Sequence, residues 1–191
     1  MPRRRLITLV AISVAIPAVL LGVILVTHDR SSTSRGTTPV TAVSPYDRNK
    51  AAVGKPAPDF ALPNLAGKTV RLSHYRGTPV VLTFFASWCH PCEEELPALE
   101  TLQRDYGGRV AVLAVNYQDL ERDTRQFVAQ HGVTYPALVE NNTTNPVAAR
   151  YGVHGPPITF FIDRNGVVAA EPLYGEGSRK ALQPGVDAIL G

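Results

Sequence analysis

Cysteine is scarce in this chain, at 2 residues in 191. That scarcity excludes a disulfide-stapled mini-protein and any zinc site built on four cysteines. There is also little excess charge of either sign. Lys and Arg total 19 against 16 Asp and Glu, for a net of +3, and Arg3, Arg4 and Arg5 stand together at the N-terminus. What remains is too sparse for a basic face, so no nucleic-acid partner is expected. No segment repeats. A length of 191 residues leaves room for one domain with appendages, not two full domains.

One hydrophobic stretch is long. From Leu6 to Thr27 the chain carries no charge, a run of about 22 residues that would extend roughly 33 Å as a helix and cover a hydrocarbon core. His28, Asp29 and Arg30 close it. A cleaved signal has a shorter apolar stretch of ~7–15 residues and a small-x-small exit. No such exit follows Leu25, and no cysteine lies near the run to accept a lipid. Residues 1–30 therefore predict an uncleaved signal anchor, a single transmembrane helix whose kink at Pro17 lipid would tolerate. The arginine cluster keeps the N-terminus cytoplasmic and puts everything after Arg30 on the extracytoplasmic side of the cell membrane. Arg3-Arg4-Arg5-Leu6-Ile7 also loosely fits a twin-arginine export signal. Residues 31–52, rich in Ser, Thr and Pro, cannot bury enough apolar surface to fold and read as a flexible linker. Residues 53–191 suffice for one core.

Within that domain the pattern alternates between strand and helix periods. Phe60 and Leu62, then Val70 and Leu72, flank Gly67 and predict a β-hairpin. Val80 to Ala86 is short, apolar and β-rich, the signature of a central strand buried on both faces. A helix is expected from Pro91 to Tyr106, bent by Pro97 and stopped at Gly107-Gly108. A strand over 110–115 follows, then a helix capped by Asp123 or Thr124 and ending at Gly132. A short strand (135–139), a short helix (146–151) and a strand (158–162) come next. Asp163-Arg164-Asn165-Gly166 predicts a hairpin turn that returns Val167 to Ala170 as the partner strand. The last helix, 178–190, is expected to be interrupted at Pro184-Gly185. Parallel β-α-β units followed by an antiparallel pair make the fold class α/β, a mixed sheet with helices on both faces.

Both cysteines fall in Trp88-Cys89-His90-Pro91-Cys92, directly after a buried strand and at the start of a helix. In that context C-x-x-C reads as a redox motif. Unpaired N–H groups and the positive end of the helix dipole favour thiolate over thiol. Cys89 is the expected exposed attacking thiolate, and Cys92, one turn further in, the shielded thiol that resolves the mixed disulfide. His90 when protonated would stabilise that thiolate, Pro91 suits a first helical turn, and Trp88 offers a flat apolar wall. A structural disulfide, a zinc site completed by distant histidines and a pair of inert thiols are the competing readings. Each is disfavoured: the ring is small, no histidine has finger spacing, and helix-start placement argues against inertness.

The segment Phe84-Phe85-Ala86-Ser87-Trp88-Cys89-His90-Pro91-Cys92-Glu93-Glu94-Glu95-Leu96-Pro97 resembles the TlpA/ResA/DsbE group of membrane-anchored thiol–disulfide oxidoreductases, within the thioredoxin-like redoxin (AhpC/TSA) superfamily. Val115-Asn116-Tyr117-Gln118-Asp119, the stretch Tyr151 to Asp163 and Pro56-Ala57-Pro58-Asp59-Phe60 are similar to further family segments. The resemblance covers about residues 53–175. It implies a thioredoxin-like sheet with an N-terminal hairpin, and a redox-active Cys89–Cys92 disulfide with no other cofactor and no metal. The implied substrate is a disulfide-bearing protein, often apocytochrome c before haem attachment, and the implied partner a membrane electron donor of the CcdA/DsbD type. Pro157 aligns with a cis-proline facing the cysteines. The residue before it lends its backbone N–H and C=O to substrate, but Pro156 has no N–H to lend. Glu95 matches an acidic residue that exchanges a proton with the second cysteine; its i+3 spacing puts it on the face of Cys92. Glu93 and Glu94 are read as favouring the helix start. His154, His74 and His131 are read as surface residues, and Asn116 and Asp119 as serving turn geometry. A disulfide oxidase or isomerase, a thiol peroxidase and a non-catalytic chaperone for thiol clients remain alternative functions.

Overall fold

A computed structural model describes residues 50–141, 146–175 and 177–191. The predicted span at 6–27 and nearly all of the linker lie outside them. Among the described residues no helix is long and apolar enough to cross a membrane.

The chain opens with a separate two-stranded hairpin, β1 (Ala61–Pro63) and β2 (Thr69–Arg71), paired antiparallel with Leu62 opposite Val70. A short 3-10 turn, Leu72–Tyr75, leads to β3 (Val80–Phe85). Then come α1 (Cys92–Tyr106), β4 (Ala111–Asn116), α2 (Glu121–Gln130), β5 (Ala137–Leu138), α3 (Val147–Arg150), β6 (Ile158–Ile162), β7 (Leu173–Tyr174) and α4 (Arg179–Leu190). The main sheet has 5 strands in the order β5-β4-β3-β6-β7. β3, β4 and β5 run parallel; β6 and β7 are antiparallel to their neighbours. This is the mixed sheet that the β-α-β order predicts.

All of β3 is buried, as its unbroken apolar run predicts. Its odd positions, Val81 and Phe85, face a core shared with Leu96, Leu99 and Leu102 of α1, Phe127 of α2 and Leu182, Val186 and Ile189 of α4. Its even positions, Leu82 and Phe84, face a second core with the hairpin's Phe60 and Leu62, α3's Val147 and Ala148, and Tyr151. Two apolar layers thus clamp the centre of the sheet, and the C-terminal end of β3 becomes a rigid platform for whatever follows Phe85.

Three local expectations are corrected. Helix α2 begins at Glu121, not at Asp123 or Thr124, and no side chain caps it; the Thr124 hydroxyl donates to Asp119 instead (3.0 Å). Val167–Ala170 does return antiparallel along β6, but only as an isolated bridge with Ile162 opposite Val168, the Ala169 N–H donating to the Phe161 carbonyl (2.9 Å) and the Asp163 N–H to the Val167 carbonyl (2.8 Å). Its other edge pairs with the N-terminal segment: Val168 N–H donates to the Lys55 carbonyl (3.0 Å), and Gly54 N–H donates to the Val168 carbonyl (2.8 Å). β6 finds its strand partner later, in β7. Helix α4 runs unbroken through Pro184. Gly185 explains why the pair belongs there: a Cβ on it would lie 2.4 Å from the Phe161 ring, so only glycine lets α4 pack this close to β6.

Candidate active site

Beyond β3 the chain turns at Ala86, where the Cys89 N–H donates to the Ala86 carbonyl (3.2 Å). The Cys92 N–H donates to the Cys89 carbonyl (3.1 Å) and the Glu93 N–H to the His90 carbonyl (3.1 Å), winding the motif into α1. Pro91, already in helical backbone, occupies the N-cap, where its missing N–H leaves no helical bond unmade. Cys89 and Cys92 are joined as a disulfide, with Cα atoms 5.4 Å apart. Cys89 is not the exposed residue the sequence suggests. It is 4% exposed and Cys92 fully buried, both packed into the core cluster beneath the sheet. The order of access is still the expected one, since only Cys89 keeps any surface.

The other site residues divide by solvent. Trp88 is 58% exposed. It packs edge-on against Tyr117 (centroids 6.5 Å apart) and donates its indole N–H to the Gln118 carbonyl (3.3 Å). Gln118 adopts a left-handed backbone (φ 47°), unusual outside glycine. His90, Pro91 and His154 are exposed. His74 is also exposed, whereas His131 is half-buried against the Phe127 ring. The Pro156–Pro157 peptide is cis. Pro157 is buried immediately ahead of Ile158, which pairs with Phe84 at the end of β3, so the register carries the proline loop to the strand end from which the cysteines spring.

Asp119 does more than shape its own turn. Its carboxylate accepts the Ser87 N–H (2.7 Å) and hydroxyl (3.0 Å) as well as the Thr124 hydroxyl. The residue two places before Cys89 is thus tied to the loop after β4. Asn116, fully buried, braces that loop by donating to the Asp119 carbonyl (3.2 Å) and accepting the Glu140 N–H (2.6 Å). A groove of about 540 Å³, lined in part by Tyr117, Leu120, Pro146, Ala148 and Val153, opens along this rim.

On the core side, Glu95 is completely buried. The Thr83 hydroxyl donates to its Oε2 (3.1 Å) and the Thr159 hydroxyl to its Oε1 (2.6 Å). These threonines are cross-strand partners on β3 and β6. Burial raises the Glu95 pKa from 4.5 to about 7, with the two hydroxyl bonds pulling the other way. A group titrating there is suited to exchanging protons at neutral pH. Glu93 and Glu94 are exposed at the helix start. The sequence reasoning found Glu95 and missed both threonines, although each interrupts an otherwise apolar strand and a buried polar residue is the informative exception.

A buried disulfide at a helix start with a cis-proline loop at the same strand end meets its relatives here. The AhpC/TSA family profile matches residues 53–171. The chain belongs to this family. It is similar to the thiol-disulfide oxidoreductase ResA of Geobacillus thermodenitrificans, at 39% identity over 64% of this chain and 70% of that protein. It is likewise similar to the thioredoxin-like protein YneN of Bacillus subtilis, at 36% identity over 64% of this chain and 74% of the relative. A crystal structure from Chlorobium tepidum, of a protein assigned as the thiol:disulfide interchange protein DsbE, superposes with a TM-score of 0.67 at 36% identity, over 74% of this chain and 100% of its own. The fold is thioredoxin-like, and the chain is a thiol–disulfide oxidoreductase of the ResA/DsbE type carrying its redox disulfide at Cys89–Cys92.

Proposed function

We propose that this protein reduces the disulfides of protein substrates on the outer face of the cytoplasmic membrane, tethered there by residues 1–30. In the reduced form the Cys89 thiolate attacks one sulfur of a substrate disulfide, forming a mixed disulfide and releasing one substrate thiolate. Cys92 then gives its proton to the Glu95 carboxylate and attacks the Cys89 sulfur. The Cys89–Cys92 disulfide forms, the second substrate sulfur leaves as a thiolate and takes up a proton, and two electrons have passed to the substrate. Resetting requires two electrons and two protons from a donor that reaches this side of the membrane, of the CcdA/DsbD type. Apocytochrome c, with its paired cysteines, is the client class proposed.

The observation that carries this reading is the asymmetry of the pair: Cys89 retains some exposure, while Cys92 lies fully buried one helical turn from a buried carboxyl. Trp88 and the neighbouring groove offer apolar contacts to the polypeptide flanking the substrate cysteines. Pro156 leaves only its carbonyl for the extended substrate, a loss of one main-chain bond worth roughly 0.5–1.5 kcal/mol. Reduction of insulin-type disulfides by the full-length chain tests the activity. It is expected to vanish in Cys89→Ser, and persistence of reduction in that variant would overturn the proposal. The redox potential tests direction: a value toward the thioredoxin end, about −270 mV, supports a reductase, and one toward about −120 mV an oxidase.

A further inference from the structure

Glu95 sits in a pocket that three other residues build, and two of them have no other visible work there. Thr83 and Thr159 face each other across β3 and β6, in strands that are otherwise apolar except at these positions. Each hydroxyl goes to a different oxygen of the same carboxyl group, Thr83 to Oε2 and Thr159 to Oε1. The third residue is Gly177, buried just ahead of α4. A Cβ there would lie 2.4 Å from Glu95 Oε1, 2.6 Å from its Cγ and 2.8 Å from its Cδ. Those separations are shorter than real contacts, so a side chain at 177 would push the Glu95 carboxyl aside, and glycine there leaves room for the oxygen that Thr159 holds.

We propose that Thr83, Thr159 and Gly177 form a seat for the Glu95 carboxyl, and are positioning residues for its proton exchange with Cys92. The threonines donate one bond to each oxygen, and the glycine vacates the volume that Oε1 fills. This rests on the reading of Glu95 as proton partner of Cys92 and adds the residues that set when it is charged. Hydroxyl donors favour the ionised form, and burial opposes it. Without the donors the carboxyl would keep its proton to higher pH. Among the described residues the other titratable group facing it is Tyr135, from the segment before β5. Burial and the Glu95 charge both push its phenol upward, and its hydroxyl donates to the Leu96 carbonyl (3.3 Å). Cys92 stands one turn back on α1, and from β3 and β6 the carboxyl meets only the two hydroxyls.

The test reads the carboxyl itself. Infrared difference titration of the oxidised full-length chain follows the C=O stretch of the protonated acid, with Glu95→Gln identifying the band by its loss. Thr159→Val is expected to move the midpoint upward by about one pH unit, since bonds to charged groups are the stronger kind. Thr83→Val, which removes the longer bond, is expected to shift it less. Thr159→Ser keeps the hydroxyl and should stay near the wild-type midpoint. Gly177→Ala should shift it upward as Thr159→Val does, and the double variant should shift it no further than either, because both lose the same bond. An unchanged or lowered midpoint in Thr159→Val, or the same shift in Thr159→Ser, would overturn the threonines' role. A wild-type midpoint in Gly177→Ala would overturn the glycine's. If all midpoints move as stated while the pH dependence of exchange does not follow them, the seat stands and the proton-partner reading of Glu95 fails.

Discussion

Cys89 and Cys92 are three residues apart, yet the regions around them are built from different materials. The rim about Cys89 is wet and held by polar bonds: Asp119 grips Ser87, Gln118 holds the Trp88 indole, and Trp88 and His90 stand in solvent. The pocket beside Cys92 is buried, with one carboxyl, the hydroxyls of Thr83 and Thr159 bonded to it, and the apolar core that three helices supply. In the proposed reaction the rim is the part that would meet the substrate polypeptide. The buried pocket would in that reaction serve only the proton of Glu95. On the proposed function, one short motif would thereby separate recognition from proton management, with the disulfide as the boundary.

The sharpest way to break that comparison is to remove one sulfur at a time. Cys92→Ser should arrest the reaction at the mixed disulfide, trapping substrate on Cys89 through a bond that reductant releases. Non-reducing gels with mass spectrometry check this. An equal trap in Cys89→Ser would erase the distinction between the two ends.

The pocket makes a second, thermodynamic prediction. The folded-state pKa of Glu95 is raised from 4.5 to about 7, so the native state holds this proton more tightly than the unfolded chain. The stability that this group contributes is fully present below about pH 4.5 and is lost as pH rises through about 7, a change of about 3 kcal/mol. Denaturant unfolding should show Glu95→Gln gaining on wild type by that order between about pH 4 and about pH 8. A constant difference would mean that the carboxyl is not held in a dry site.

On the rim, Asp119→Ala leaves the Ser87 N–H and hydroxyl without their partner. It should cost roughly 1–3 kcal/mol in unfolding experiments and slow exchange by loosening the turn before Cys89. Pro156→Ala restores an N–H and should tighten a trapped mixed disulfide by up to about tenfold; unchanged affinity would show that substrate does not bond there. Trp88→Ala should alter stability by no more than about 0.5 kcal/mol, being largely exposed. Its effect belongs in KM, and a loss confined to kcat would contradict its place at the rim.

Much of this was legible in the sequence, for physical reasons that also explain the rest. β3 was readable because seven successive apolar or β-favouring residues have no other stable home, and α1 because its apolar positions repeat at helical spacing before Gly107. C-x-x-C after a buried strand announced the dithiol, and Glu95 was picked out by its match to the family's acidic residue, its i+3 spacing placing it on the face of Cys92. The Val167–Ala170 return was legible from its turn but stays a single bridge to β6, with Val168 also bonded to Gly54 and Lys55, more than a hundred residues away. The break expected at Pro184 failed because Gly185 trades a helical weakness for close packing on Phe161. Gly177 was invisible for the same kind of reason: its neighbour in space, Glu95, lies on another element. The Asp119–Ser87 clamp likewise joins two loops that only the β3–β4 pairing brings together.

The division between rim and pocket is tested most directly by the pH dependence of single-turnover disulfide reduction by the reduced full-length chain, wild type against Glu95→Gln. The wild-type rate should inflect near the pH at which the carboxyl titrates, about 7, and Glu95→Gln should lose that inflection while still forming the mixed disulfide at Cys89. Two superimposable profiles would contradict the account.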